Sequence, residues 1–135
     1  LISATEIIRA SYDKLKNNNG SIVLFSTVAA RTGVLNHGRI SSAKAAVEGL
    51  TVALAAEFAP HIRVNCIAPS LSQSKMAAPM LKNEKMAESI AKMHALKRIG
   101  EGDDFSSMVS FLLSKDSSWM TGQIIGVDGG RSSVA

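Results

Sequence analysis

The chain has 135 residues, of which 46% are hydrophobic and 19% are charged, and its formal net charge is +4. This length and apolar content suit one folded domain and argue against disorder. No apolar run reaches the length of a membrane span. Its single cysteine, Cys66, excludes an internal disulfide framework and predicts a reducing, cytoplasmic compartment. The basic residues are scattered without interleaved aromatic residues, which argues against nucleic-acid binding.

The first predicted elements are a helix and a strand. Apolar spacing predicts a helix over Leu1–Lys16, which either starts from a capping box of Ser3 and Glu6 or is already under way at this point. Asparagines and a glycine at 17–20 end it. The unbroken apolar run Ile22–Phe25 predicts a strand that is covered on both faces, as in a parallel sheet.

Helices and strands continue to alternate along the rest of the chain. The predicted order is a loop over Ala29–Gly38, a buried helix over Ser41–Ala59, a strand over His61–Ala68 halted by Pro69, a loop over Ser70–Ala78, a helix over Pro79–His94, a short helix over Asp103–Leu113 and a strand over Gly122–Val127. This order predicts an α/β protein with a parallel sheet and right-handed crossovers. Three strands are few for so much helix, so the sheet looks incomplete.

Four segments carry a family resemblance. They are Gly20–Val23 through Thr27–Ala29, Ser42–Ala46, Arg63–Pro69, and Thr121–Gln123 through Val127–Gly130. In this order and at this spacing they resemble the C-terminal half of a short-chain dehydrogenase/reductase, a single-domain oxidoreductase with a Rossmann-type, doubly wound parallel sheet. The resemblance covers essentially the whole chain. It implies a partial Rossmann-like domain over 1–135, without the glycine-rich turn that holds the dinucleotide phosphates.

The resemblance changes what the length of the chain implies. The chain begins at Leu1 without a methionine, and we expect it to be a fragment that is completed by upstream residues or by a partner chain. Alone, it would expose Ile22–Phe25 as an apolar sheet edge, which is an aggregation hazard. The family also implies a homodimer or homotetramer formed through the helices of Leu1–Lys16 and Ser41–Ala59.

The family's catalytic residues are carried over only in part. By resemblance, Lys44 matches the lysine that holds the nicotinamide ribose and favours the phenolate of a catalytic tyrosine. Thr27 stands at the position of the serine that orients the substrate oxygen, with Ser26 as the second choice. The tyrosine position holds Ile40, which has no proton to transfer, and the only tyrosine in the chain is Tyr12.

Several side chains are candidate substitutes for the missing tyrosine. His37, in the loop before the second helix, could transfer a proton near neutral pH, or it is simply solvated. The hydroxyls of Ser41 and Ser42 lie close in sequence to the tyrosine position, but serines in a first helical turn are usually caps. We expect His61 and His94 to be ordinary surface or strand-edge residues.

The segment after the second strand is implied to contact the cofactor, NAD or NADP. Its implied contact residues are Pro69, Ser70, Ser72 and Ser74. Ser70 replaces the glycine that the family usually has, which restricts the backbone if φ must be positive. The methionines at 76, 80 and 86 either line a flexible substrate lid or fill a helix core. The three histidines and Cys66 are too dispersed to predict a metal site.

The sequence leaves two functions open. The first is an NAD(P)-dependent oxidoreductase with a degenerate site, which moves a hydride between nicotinamide and a small-molecule carbonyl or alcohol. The second is a non-catalytic relative that binds a nucleotide or a protein partner, or an inactive fragment. The loss of the tyrosine at Ile40 favours the second, so whether the chain is part of an active enzyme stays open.

Overall fold

The structure is a computed structural model that describes residues 1–134, and it contains helices and strands in alternation. The α-helices are α1 (Ile2–Asn17), α2 (Gly38–Phe58), α3 (Ala78–Leu81), α4 (Glu84–Lys92) and α5 (Gly102–Leu113). The strands are β1 (Ser21–Phe25), β2 (Arg63–Pro69) and β3 (Ile124–Val127). Short 3-10 turns cover Val28–Ala30 and Lys115–Ser117.

The strands form one parallel sheet in the order β1-β2-β3. Cys66 in the middle of β2 pairs with Leu24 on one side and Ile124 on the other. Residues Val64–Ala68 of β2 are all buried. The predicted α/β class and parallel sheet are therefore confirmed, and the carboxyl ends of all three strands meet at one edge.

Helices cover both faces of this sheet. On one face, Tyr12 of α1 and Phe58 of α2 pack on a core that includes Ile62 and Val64. Helix α5 packs on the other face. A 2.7 Å hydrogen bond from the Ser21 hydroxyl to the carbonyl of the buried Leu112 joins it to β1. Successive residues of a strand point to opposite faces, so the sheet is the middle of three layers.

β1 is less covered than the sequence predicted. Ile22, Val23 and Leu24 are only half-buried and Phe25 is 42% exposed, so the expectation of full cover on both faces is wrong for this strand. The reason is its place at the edge of the sheet within residues 1–134, where β2 is its only neighbour. The fully covered strand is β2, whose neighbours lie on both sides.

Several helix ends differ from the predictions, and α2 begins at Gly38, before the predicted start at Ser41. α1 has no side-chain cap and begins at Ile2, so Ser3 lies inside the helix and the predicted capping box is wrong. The predicted helix over Pro79–His94 is two helices, because the Asn83 side chain accepts a 3.1 Å hydrogen bond from the Met86 amide and starts α4 anew. The predicted loop over Ala29–Gly38 contains a 3-10 turn at its start.

Pro69 is the last residue of β2 and not the residue that stops it. It lacks a backbone N–H, but its carbonyl oxygen still accepts a hydrogen bond from the Thr27 hydroxyl at 3.3 Å. The strand can therefore keep Pro69 at its carboxyl end, where a missing donor costs least.

The amino end of β2 is held by a buried polar network. The Arg63 guanidinium donates to the carbonyls of Ser114, Ser117 and Met120 and to the Ser117 hydroxyl over 2.9 to 3.4 Å. Next along the strand, the fully buried Asn65 donates to the Met120 carbonyl at 3.0 Å and accepts from the Gln123 amide at 3.1 Å. Beside this network, the only tryptophan in the chain, Trp119, is fully exposed.

Among residues 1–134, no helix is both long and apolar enough to cross a lipid bilayer.

Candidate functional site

A cleft of about 460 Å³ opens at the carboxyl edge of β1 and β2. Its walls are largely apolar, and six of the side chains that form them are Val34, Ile40, Met76, Met80, Ile90 and Met93. A few polar groups converge on this apolar space, from the end of β1, from the segment after β2 and from the turn after α4. Such a cleft at the carboxyl ends of parallel strands is the usual ligand site of an open α/β sheet.

Thr27 brings a hydroxyl into the cleft just after β1. Its Oγ1 donates to the Pro69 carbonyl and accepts from the Ala29 amide, both at 3.3 Å. The neighbouring Ser26 is buried and donates to Glu48 Oε1 of α2 at 2.8 Å. The two hydroxyls therefore point apart, and Thr27 is the one that lines the cleft.

Lys44 reaches the same edge of the sheet from α2. Its Nζ donates to the carbonyl of Phe25, the last residue of β1, at 2.8 Å. An ammonium has three donors, so one bond to the strand leaves two for a ligand. Lys44 does not itself line the cleft, but it lies one helical turn beyond Ile40, which does.

No tyrosine lines the cleft. Ile40 occupies the wall where the family resemblance expected one, and its side chain is 41% exposed. Tyr12 packs instead against Phe58 with ring centroids 4.9 Å apart, in the core formed by α1 and α2. A phenol is thus absent from the cleft walls within residues 1–134.

Of the three candidate substitutes for the tyrosine, the histidine lines the cleft and the two serines do not. His37 lines the cleft, half-buried, with its Nδ1 2.7 Å from the Leu35 carbonyl oxygen. Ser42 donates to the Gly38 carbonyl within α2 at 2.7 Å, and neither it nor Ser41 lines the cleft. Of these candidates, the structure brings only His37 together with Thr27.

The serines after β2 line the cleft as a group. Ser70, Ser72 and Ser74 all contribute to its wall. Ser72 also pairs with Gly100 in an isolated bridge, and the Ser74 hydroxyl accepts from the Ala77 amide at 3.1 Å. Ser74 therefore stabilises a turn, whereas the Ser70 hydroxyl has a side-chain partner.

The partner of Ser70 is His94, for which the sequence predicted an ordinary surface or strand-edge position. His94 is only 2% exposed, and its Nε2 lies 2.8 Å from Ser70 Oγ. The prediction is wrong for His94 because Ser70, 24 positions away in sequence, comes to lie beside it. The one sequence feature that drew attention to this contact is Ser70, which stands where the family usually has glycine. His61, by contrast, is exposed as expected.

A smaller cavity of about 120 Å³ lies beside the cleft and shares Ser70 and His94 with it. Asp128 lines this cavity. Burial alone would raise the pKa of Asp128, but hydrogen bonds from Ser132 and Gly130 and the nearby His94 outweigh it, and the pKa is lowered. An ionised carboxylate thus stands near the imidazole at neutral pH.

Within residues 1–134, no three histidine, cysteine, aspartate or glutamate side chains are grouped to hold a metal ion. Cys66 is buried in β2, and burial raises the pKa of its thiol. It therefore stays protonated and packs as a small apolar side chain.

The parallel sheet with its cleft at the carboxyl edge defines a Rossmann-type α/β protein. A family model described as Enoyl-(Acyl carrier protein) reductase matches residues 1–132. The chain belongs to the short-chain dehydrogenase/reductase family, which confirms the resemblance drawn from its four segments.

Relatives agree with this assignment. The chain is 38% identical to human "Dehydrogenase/reductase SDR family member 2, mitochondrial" over 116 residues, which cover 85% of this chain and 41% of the relative. A short-chain type dehydrogenase/reductase from Mycobacterium ulcerans is 31% identical with a TM-score of 0.86, over 93% of this chain and 46% of that one. ElxO, solved with NADP bound, is 26% identical with a TM-score of 0.83, over 92% and 51%. The chain spans less than half the length of the curated relative.

The residues at the cleft fit one end of a nicotinamide dinucleotide. Lys44 offers free ammonium donors and Ser70 and Ser72 offer hydroxyls, which suit a ribose and a carboxamide. The phosphates have no comparable place, because residues 1–134 contain no glycine-rich turn that joins a strand to a helix N-terminus. The fit is therefore to the nicotinamide riboside end.

Proposed function

We propose that this chain forms the substrate-side half of an NAD(P)-dependent oxidoreductase that moves a hydride between nicotinamide and a small-molecule carbonyl or alcohol. The observation that carries the proposal is the placement of Thr27 and Lys44 at the same end of β1, beside an apolar cleft. Thr27, which follows β1, and Lys44, which lies on α2, are thus brought to one site by the fold. Family membership supports the same chemistry.

Each polar group has a role in this proposal. A bound nicotinamide dinucleotide supplies the hydride. The Thr27 hydroxyl gives up its long 3.3 Å bond to the Pro69 carbonyl and donates its proton to the substrate oxygen instead, which orients that oxygen. Lys44 donates to ribose hydroxyls while one bond to the Phe25 carbonyl fixes its position. Pro69, Ser70, Ser72 and Ser74 form the wall or backbone next to the nicotinamide. The apolar walls exclude water from the carbon that reacts.

The proposal includes the wider properties that the family resemblance implies. The chain is part of one Rossmann-like domain, works with NAD or NADP, and assembles as a homodimer or homotetramer. A cytoplasmic location is supported by the single, buried and reduced Cys66. NADP binding by the similar ElxO supports a nicotinamide dinucleotide without deciding between NAD and NADP.

One observation favours a second candidate function. Ile40 puts an aliphatic side chain where the general acid or base belongs, and a relative that binds nucleotide without turnover would tolerate this change. On that alternative, Lys44 and the serines bind the dinucleotide, and no hydride moves.

The first test is binding by the protein expressed from its full reading frame. Titration with NADH and with NADPH, followed by nicotinamide fluorescence, is expected to saturate. Lys44→Met should weaken the binding at least tenfold, since about two ribose hydrogen bonds are lost, whereas Lys14→Met on the exposed face of α1 should leave it unchanged. Binding that does not saturate contradicts both candidate functions.

The second test separates the two candidates. The full-length protein and its Ile40→Tyr variant are compared on a panel of aldehydes and ketones by loss of NAD(P)H absorbance. Turnover by the unmodified protein supports the oxidoreductase. Turnover only after Ile40→Tyr supports the non-catalytic relative, and binding without turnover by either protein contradicts the oxidoreductase.

A further inference from the structure

A hydrogen-bonded pair of a half-buried serine and a buried histidine lies in the wall of the cleft. Ser70 Oγ and His94 Nε2 are 2.8 Å apart, and His94 is only 2% exposed. The other ring nitrogen, Nδ1, is 2.9 Å from the Ile90 carbonyl oxygen. Both ring nitrogens of His94 are thus engaged, and one of them is engaged by a hydroxyl that lines the cleft.

The hydrogen-bond partners determine the direction of each bond. A carbonyl oxygen can only accept, so Nδ1 of His94 carries a proton and donates it to Ile90. In the neutral ring Nε2 then has no proton and accepts from the Ser70 hydroxyl. A histidine oriented by a third group and bonded to a hydroxyl is the arrangement that proton-transfer sites use.

The pair stands next to the residue that would hold the substrate oxygen. Thr27 Oγ1 bonds to the carbonyl of Pro69, the residue immediately before Ser70, and both hydroxyls line the same cleft. His94 lines both the cleft and the smaller cavity, as Ser70 does. The Ser70 hydroxyl therefore lies at the cleft wall within hydrogen-bond distance of the imidazole.

We propose that Ser70 and His94 form the proton relay of the cleft and do the work of the absent tyrosine; this rests on the oxidoreductase function proposed above. In the reducing direction the carbonyl carbon receives a hydride, and the π electron pair moves to the oxygen. That oxygen takes the proton of the Ser70 hydroxyl, and Ser70 takes the Nε2 proton of the His94 imidazolium. The products are an alcohol, oxidised nicotinamide and a neutral imidazole, which regains its proton from water.

Charges around His94 bear on this relay. The Asp128 carboxylate lines the smaller cavity together with His94, and the imidazole is one of the groups that lower the pKa of Asp128. The other charged or titratable groups that share a cavity with His94 are Arg98 and Asp104, which pair with each other, and His37 and Arg131 in the cleft. In this relay carbonyl reduction consumes the imidazolium proton, so its rate should fall with rising pH, and alcohol oxidation should show the opposite slope.

The experiment uses the full-length protein and variants chosen to separate proton transfer from packing. His94→Gln keeps an acceptor for Ser70 but cannot exchange a proton, and Ser70→Gly removes the hydroxyl and restores the residue usual in the family. Both are expected to lower kcat for carbonyl reduction by about 100-fold or more with the KM for the carbonyl nearly unchanged, and His94→Gln should also abolish the pH dependence of reduction. The control is His61→Gln at an exposed position, which should match the unmodified protein.

A second readout does not depend on activity. NMR of ¹⁵N-labelled histidine should show His94 with Nδ1 protonated and Nε2 as an acceptor, and its protonation midpoint should coincide with the pH limb of the reduction rate. A mismatch between these midpoints, or full activity in His94→Gln, overturns the relay, and so does loss of the limb in His37→Gln alone. An unmodified protein that binds NAD(P)H but reduces no carbonyl overturns the oxidoreductase and the relay with it.

Discussion

The two ends of β2 hold polar groups that do different work. At the amino end, Arg63 and Asn65 direct their hydrogen bonds to backbone groups of the segment that leads into β3. At the carboxyl end, Thr27, Ser70 and His94 line a cleft, and the hydroxyls of Thr27 and Ser70 can still accept a hydrogen bond from a ligand. Under the proposed function, the amino end stabilises the fold and the carboxyl end binds the ligand, and substitutions at each end test this division.

The largest expected effect on stability is at Arg63. Arg63→Ala should lower the free energy of unfolding by about 3 kcal/mol, because it leaves several backbone carbonyls without a donor. Urea denaturation measures the change, and Arg63→Lys should recover only part of it since an ammonium cannot match the planar fork. A loss below about 1 kcal/mol would show that water replaces the guanidinium easily.

Asn65→Ala should cost somewhat less, about 2 kcal/mol. The substitution leaves the Gln123 amide and one lone pair of the Met120 carbonyl without their partner beside the fully buried position 65. The affinity for NADH should stay unchanged, because Asn65 is at the structural end of β2. A tenfold weaker affinity with intact stability would break the proposed division between the two ends.

Thr27→Val tests the other end, where stability and activity should separate. The hydroxyl makes two bonds of 3.3 Å, so its loss should cost no more than about 1 kcal/mol of unfolding free energy. Turnover should nevertheless fall at least tenfold, because about one hydrogen bond to the substrate oxygen is lost. Thr27→Ser keeps the hydroxyl and is the matched control; equal turnover by Val and Ser variants would exclude the role.

The smallest effect belongs to the half-exposed ion pair of Arg98 and Asp104. Two bonds of 2.5 and 2.6 Å from Arg98 lower the pKa of Asp104 to about 2. Because the pKa of Asp104 is lower in the folded than in the unfolded protein, the ion pair stabilises the fold at pH values above the unfolded pKa of 3.8. This stabilisation is lost as the pH falls to the folded pKa of about 2. The stability difference between the protein and Asp104→Asn should therefore be small at neutral pH and shrink between pH 4 and pH 2, as thermal unfolding can measure.

The sequence predicted the sheet better than its connections. The apolar runs Ile22–Phe25 and His61–Ala68 locate strands β1 and β2 to within two residues, since a buried parallel strand has little freedom in composition. The break before α4 was missed because Asn83 sits within an otherwise helical pattern, and only its bond to the Met86 amide shows that it starts a new helix.

The site was predictable only where it follows the family pattern. Thr27 and Lys44 were located from their motifs, and the structure places both at one edge of the sheet. His94 was not, because its importance comes from a contact with Ser70 that local sequence does not encode. Whether a histidine that follows a helix is buried depends on the tertiary packing around it. Only Ser70, in place of the usual glycine, marked this part of the chain as unusual.

Trp119 has a practical consequence for all these measurements. Its indole is already fully in solvent in the folded protein, so its emission will change little when the chain unfolds. As the only tryptophan of these 135 residues, it offers no optical signal of their core, and their unfolding is better followed by circular dichroism. Trp119 does not line the cleft, so a change in nicotinamide emission will report the ligand's own surroundings and not a change at this indole.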